Sequence, residues 1–281
     1  MFTLNARGKL LIIDQPVVMG VLNRTHDSFY SGSRVAGDDD VLRQAERLIA
    51  DGADWIDIGG QSTRPGAELV GEAEELRRVI GAIHRLHDQW PEVPLSVDTW
   101  HARVAAEAVA AGASIINDVS AGGMDKDMLD TAGRLGVPYI CMHMKGVPAT
   151  MNREAKYDDV VREVLDFFIG RIEACRRAGI HDVIVDPGWG FAKTAIHNFR
   201  LLHGLSLLKI CGKPLMLGLS RKSTIYRTLG LTPEEALNGT TALHTIGLLN
   251  GADILRVHDP KEARQVIRLL TAYRDAQAKT R

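Results

Sequence analysis

DWIDIGGQSTRPG (residues 54–66) is an apolar run, Trp55, Ile56 and Ile58, that stops at Gly59 and Gly60. The hydroxyls Ser62 and Thr63 follow, then the cation Arg64, then Pro65 and Gly66. A short β-branched run closed by such a loop predicts a buried parallel strand with a functional loop at its carboxyl end. The paired glycines let the backbone turn tightly and approach a ligand. Arg64 and Thr63 supply what an anion or a polar ring needs there. Alone, the stretch reads equally well as a turn with an exposed arginine. Its recurrence along the chain favours the first reading.

Working outward, residues 17–22 predict a strand, 23–37 a long polar loop, and 38–51 a helix opening with acids, as the helix dipole favours. A helix over 70–88 places Leu76, Val79, Ile80, Ile83 and Leu86 at helical spacing. Strands at 95–97, 114–116, 139–142, 183–185, 215–219 and 254–257 then alternate with helices. The helices cover 101–111, 126–135, 157–178, 195–205 and 233–250, and a last one starts at Pro260, a residue suited to a first turn. Strand–helix units of roughly thirty residues, repeated eight times, predict an α/β fold, a single (β/α)8 TIM barrel, over a doubly wound sheet. Residues 2–5 and 10–13 predict a short N-terminal β-hairpin across Arg7 and Gly8, capping the bottom of the barrel. No linker or shift in composition divides residues 1–281, which read as one domain.

The chain has 281 residues, 45% hydrophobic and 25% charged, enough for a sizeable core. A formal net charge of −1 points to no nucleic acid and no anionic membrane as partner. Cys141, Cys175 and Cys211 are scattered without a CxxC pair and read as reduced thiols of a cytoplasmic protein. Near the N-terminus, Lys9 precedes an apolar run that Asp14 cuts short, so neither a signal peptide nor a membrane span is expected.

Barrels of this class carry their chemistry on the carboxyl ends of the strands. Here those ends supply Asn23, then Thr63 and Arg64, Asp98, Asn117, Met142 and His143, and Asp186 with the loop 188–193. The last two supply Gly218, Ser220, Lys222 and Ser223, then Arg256 and His258. One charged strand end is an ordinary surface residue. So many at one end of the barrel are not explained by solvation. Asp98, Asn117 and Asp186 are acceptors suited to a flat ligand rich in N–H donors. Arg64, Lys222, Arg256 and His258 are donors suited to phosphate or diphosphate. Asn23 offers a neutral oxygen for Mg²⁺, which keeps waters and substrate phosphates as its other ligands. No zinc pattern, nucleophile elbow or P-loop occurs. A Schiff-base role for Lys222 has low weight, because Arg221, Ser220 and Ser223 predict surroundings too polar for a desolvated lysine.

The segments VMGVLNRTHDSF (18–29), GGQSTRPGAE (59–68), SVDTW (96–100), IINDVS (115–120), MHMKG (142–146), DPGWGFAK (186–193), GLSRKS (218–223) and ILRVHD (254–259) run in order along the chain. Together they resemble the dihydropteroate synthase family over nearly its whole length. The resemblance implies condensation of 6-hydroxymethyl-7,8-dihydropterin diphosphate with 4-aminobenzoate by an SN1-like path in folate biosynthesis. It implies a pterin site of Asp98, Asn117, Met142, Asp186, Gly218 and Lys222. It implies a diphosphate site of Asn23, Arg64, Arg256 and His258, with Mg²⁺ at Asn23. Thr63, Pro65, Phe191, Lys222 and Ser223 would line the aminobenzoate site, where sulfonamides would compete. Lys222, Arg256, His258 and Arg64 are the expected catalytic set, and the family's habit implies a homodimer through the last helices, for which Leu248, Leu249, Val266, Ile267 and Leu270 are available.

The chain departs from the family pattern at several places. His26 replaces a proline that would fix φ in loop one, Arg24 adds a cation, and Ser31 stands where an aspartate is common. Gln61 replaces a glutamate, and Trp189 and Ala192 replace a phenylalanine and a glycine. Two rivals remain: a non-catalytic pterin-binding paralogue, and a methyltransferase barrel acting on methyltetrahydrofolate. The second generally lacks the STRPG loop and the serine–arginine–lysine after strand seven, both present here.

Overall fold

A computed structural model describes residues 1–24, 34–61, 70–148, 150–151 and 153–278, with the backbone alone for 34–39 and 277–278. Strands β1 (Phe2–Ala6) and β2 (Lys9–Ile13) form the expected antiparallel hairpin. The barrel strands are β3 (Val17–Asn23), β4 (Trp55–Gly59), β5 (Leu95–Asp98), β6 (Ile115–Asp118), β7 (Tyr139–Met142), β8 (Val183–Asp186), β9 (Met216–Leu217) and β10 (Ile254–Val257). The helices are α1 (Arg34–Ala50), α2 (Glu72–Gln89), α3 (Ala102–Ala111), α4 (Met128–Leu135), α5 (Val160–Arg177), α6 (Ala195–His203), α7 (Ser223–Leu229), α8 (Leu237–Leu249) and α9 (Pro260–Ala278).

The 8-stranded sheet runs in the order β8-β7-β6-β5-β4-β3-β10-β9, and all its pairings are parallel. A parallel bridge between Val185 and Leu215 joins the two ends of that order. The fold is thus the (β/α)8 barrel expected. Among the described residues, no helix is long and apolar enough to cross a membrane.

Period-two alternation sorts each strand into an outer face against the helices and an inner face. Val18, Ile56, Ile58, Val97, Ile116, Val185 and Val257 belong to the core shared with the helices. Met19, Trp55, Ile115, Ile140, Ile184, Met216 and Ile254 form a separate inner layer packed on Leu4, Ala6, Leu11 and Ile13 of the hairpin. The hairpin is therefore a hydrophobic plug in the bottom of the barrel. Two residues beyond this apolar layer, on the same inner face, come Asp57, Asn117, Met142, Asp186, Gly218 and Arg256. The plug keeps water from below, and the next layer carries polar groups open only toward the mouth.

The structure corrects several boundaries. Helix α1 begins at Arg34, so its first turn carries no acid; the dipole preference is worth only about 0.3–1 kcal/mol and does not fix a start. Helix α6 ends at His203, and residues 205–211 continue as a 3-10 turn. Strand β9 is two residues long, not five. A short helix for which the sequence reading made no prediction, α7, follows it, and α8 begins at Leu237 after a 3-10 turn. Of the residues offered for a dimer surface, Leu248, Ile267 and Leu270 are buried in the core, because a barrel helix turns its apolar stripe to the strands. Ile246, Leu249, Leu269 and Tyr273 are the large apolar side chains that α8 and α9 leave exposed.

Candidate active site

Arg256, on β10, is the hub of the mouth. Its Nε donates to Asp57 Oδ2 at 2.6 Å and its Nη2 to Asp98 Oδ2 at 2.7 Å. Asn117 Nδ2 donates to the same Asp57 oxygen at 3.0 Å. One buried network thus ties β4, β5, β6 and β10. Burial works against the Arg256 cation, but Asp57 and Asp98 outweigh it and raise its pKa. Burial pushes Asp98 up to about 7, with Arg256 pulling the other way.

Asp57 was not singled out from the sequence, and it is fully buried. The signal was there: a carboxylate inside the apolar run WIDIG, two residues after Trp55 and so on the inner face. Arg256 was expected among the anion-binding cations apart from Asp98. Its described contacts instead join it to Asp98, because both side chains stand on the inner face of nearby strands.

Beside Arg256, around the short β9, lie Asp186, at the end of β8, and Lys222, ahead of α7. Gly188 N donates to Asp186 Oδ1 at 2.8 Å. The other oxygen faces Gly218, where a Cβ would stand 3.7 Å from Asp186 Oδ2. Glycine keeps that space open. Burial raises the Asp186 pKa, opposed by Lys222, and burial lowers Lys222 to about 8, opposed by Asp186. Lys222 Nζ donates to Trp189 O at 2.5 Å and lies 4.6 Å from the centre of the Phe191 ring. Lys222 is thus half-buried among a carbonyl, a carboxylate and an aromatic face, polar surroundings in which burial still lowers its pKa. Arg221 does not enter the pocket: it forms a two-pronged pair with Asp259, at 2.7 and 2.9 Å, and donates to Pro233 O and Glu234 O. Met142 and Phe191 are buried beside Trp100, Val119, Met151 and Ala192 as an apolar wall. Ser223 opens α7.

His258 Nδ1 lies 3.2 Å from Ser220 Oγ, which also accepts from His258 N. The ring stays in contact with solvent, yet desolvation within the mouth, then Arg256, lowers its pKa to about 4. Asn23 ends β3, exposed, in register with Gly59, which is in turn in register with Asp98. A Cβ at Gly59 would come within 3.6 Å of Asn23 Oδ1 and 3.7 Å of Asp98 Oδ2. Arg24, expected as an added cation near the anion site, is buried and its Nε donates to Arg78 O. Gln61 binds both backbone groups of Val70 and closes the base of loop two. Thr63, Arg64 and Pro65, and the departures at His26 and Ser31, lie outside the described residues.

A parallel barrel whose mouth sets buried carboxylates against cations suits an enzyme for a flat, donor-rich ring bearing an anion. Comparison with known proteins agrees. Residues 19–258 match the family described as pterin binding enzyme. The chain is 41% identical to the dihydropteroate synthase of Escherichia coli (strain K12) over 278 residues, covering 98% of both chains. It superposes with a TM-score of 0.89 and 42% identity on Xanthomonas albilineans dihydropteroate synthase with 4-aminobenzoic acid, covering 97% of this chain and 98% of that one. Yersinia pestis dihydropteroate synthase in a sulfonamide drug complex gives a TM-score of 0.90 and 41% identity, over 98% and 100%. The chain belongs to the pterin-binding enzymes and, within them, to the dihydropteroate synthase family.

Proposed function

We propose that this enzyme joins 6-hydroxymethyl-7,8-dihydropterin diphosphate to 4-aminobenzoate, giving 7,8-dihydropteroate and diphosphate in folate biosynthesis. The observation that carries the reading is Arg256 held between Asp57 and Asp98, with Asp186 and Lys222 beside it in the mouth. Asp98, Asn117, Asp186 and Lys222 hold the pterin, with Met142 and Gly218 as walls. Asn23, Arg64, Arg256 and His258 hold the diphosphate. Thr63, Pro65, Phe191, Lys222 and Ser223 line the arylamine site, and sulfonamides compete there.

The carbon–oxygen bond breaks with its electron pair leaving on the diphosphate. Cations at the leaving oxygens stabilise that charge, and the carboxylates under the ring favour the cation left on the pterin methylene. The arylamine nitrogen then forms the carbon–nitrogen bond and releases its proton to solvent. A primary arylamine is nucleophilic enough to need no strong base. His258, whose pKa burial and Arg256 lower, gains a proton more readily once a diphosphate lies beside it.

The donor set fits Mg²⁺. Asn23 presents an exposed neutral oxygen over Gly59, where no side chain fills the space, and such a site leaves the remaining positions to water and phosphate. Asn23 would hold the ion, which when bound supplies Lewis-acid stabilisation of the leaving diphosphate. The exposed apolar side chains of α8 and α9 suit the homodimer, and the scattered thiols suit a cytoplasmic setting.

Diphosphate release by the purified protein tests the reading. Release is expected to require both substrates and Mg²⁺, and to fall by about 10²–10³-fold in Arg256→Ala. Pterin binding without turnover would instead mark a non-catalytic paralogue. The pH profile tests Lys222. Burial lowers this lysine from the usual 10.5, so it is charged below about 8 and neutral above. The second-order rate constant is expected to fall on the alkaline side of that value, and Lys222→Arg to move the limb upward even as it slows turnover. A limb that stays in place in the arginine variant belongs to another group.

A further inference from the structure

Lys193 closes the loop that follows β8, and it is 8% exposed. A buried ammonium carries N–H donors and no acceptor, so each donor needs a partner. Lys193 Nζ finds His143 Nδ1 at 2.9 Å, Phe191 O at 3.0 Å and Gly188 O at 3.1 Å, with His143 O at 3.4 Å. Burial lowers the Lys193 pKa to about 7, with Asp186 pulling the other way, yet in either charge state Nζ donates to carbonyl oxygens of both segments. Burial, then Lys193 and Lys145, hold His143 neutral at about 2. The contacts are those of a clamp, since Nζ is anchored to carbonyls on both segments.

The acceptors come from different places in the chain. His143 directly follows β7, whereas Gly188 and Phe191 belong to the loop after β8. These two segments are pressed together: Gly188 has φ +69°, and a Cβ there would lie 2.0 Å from His143 O. Ala192 sits at φ 49°, a conformation that only glycine adopts freely, so the loop needs a tether. What the tethered loop presents is the carbonyl of Trp189 and the ring of Phe191, both against Lys222. Its far side is tied to α7 through Gly190 N to Asn198 Oδ1 at 2.9 Å and Asn198 Nδ2 to Thr224 Oγ1 at 2.8 Å.

We propose that Lys193 is a positioning residue for the arylamine half of the site: by clamping this loop onto the end of β7, it sets Phe191 and the Trp189 carbonyl that hold Lys222. The inference rests on the reading of Phe191 and Lys222 as arylamine contacts. Lys193 touches no reacting atom, so its effect falls on one substrate more than the other.

Initial rates of the full-length protein, with each substrate varied in turn, decide it. Lys193→Met is expected to raise the KM for 4-aminobenzoate by about tenfold or more while the KM for pterin diphosphate changes by less than about threefold. Lys193→Arg keeps the charge but not the compact geometry and is expected to behave like Lys193→Met; rescue by arginine overturns the clamp. His143→Phe keeps an aromatic ring beside Phe167, whose centre is 4.9 Å away, and removes both ring nitrogens, Nδ1 with its contact to Lys193 among them. The variant is expected to shift the same KM in the same direction, and it carries the test if Lys193→Met does not fold. Phe191→Leu checks the underlying assignment. If Phe191→Leu raises the aminobenzoate KM while the His143 and Lys193 variants leave it unmoved, the clamp is wrong. If Phe191→Leu itself leaves that KM unmoved, the arylamine assignment fails and takes the inference with it.

Discussion

Asp57→Ala is expected to lower the melting temperature by roughly 10 °C and to reduce turnover to a trace, although Asp57 touches neither substrate in the proposed scheme. Asp57 is fully buried, and one of its oxygens accepts from both Arg256 Nε and Asn117 Nδ2. Removing it leaves a buried guanidinium with Asp98 as its remaining described carboxylate partner. Breaking a buried pair from one side costs about 3–5 kcal/mol, because the charge left behind is uncompensated. The same loss frees Arg256 and Asn117 to rotate out of the positions that face the ligand. Asp57→Asn keeps the shape and one acceptor oxygen, so it should be milder on both counts. Thermal unfolding followed beside kcat/KM checks this. A variant that melts and turns over like the parent would show that Arg256 is oriented by something else.

Asp186→Asn is expected to leave the fold intact and to cut kcat/KM for pterin diphosphate by about 10³-fold, mainly through KM. One oxygen is already committed to Gly188 N, a bond the asparagine oxygen can keep. The other faces the space over Gly218, where the guanidine-like edge of a pterin requires an acceptor. An amide places an N–H there, so an attraction becomes an unpaired donor against a donor. The KM for 4-aminobenzoate should move far less. Lys222 also loses the carboxylate that holds its pKa up, so the alkaline limb should shift to lower pH. Equal effects on both substrates would sink the pterin assignment at Asp186.

The barrel and the side of it that carries chemistry were legible in the sequence because short apolar runs alternate with helices eight times and nearly every run ends in a polar or charged residue. Asp98, Asn117 and Asp186 stand at strand ends, where a polar residue breaks an apolar run visibly. Asp57 has apolar neighbours on both sides and hides inside such a run; only its spacing from Trp55 shows that it shares the inner face. Arg256 was visible, but which carboxylates it meets depends on how the strands are staggered around the barrel, which no single strand records. Arg221 was misread for a similar reason. Its partner Asp259 is brought near by the closing strand, and the cation turns away from the pocket that its neighbour Lys222 lines. On α8 and α9 the apolar residues cover more than one face, and spacing alone does not say that Leu248 and Ile267 face the strands while Leu249 and Leu269 face out.

The isolated bridge between Val185 and Leu215 joins the ends of the sheet where β9 is two residues long. The hydrogen-bonded hoop around the barrel is thinnest there, and local opening favours places with few backbone bonds. Asp186 lies on one side of that join, and Lys222 follows the strand on the other. A ring gripped by both is a rung across the gap, stitched in by the substrate and not by the backbone. On that assignment, filling the site is expected to steady the join, because a ligand that binds the closed form stabilises it.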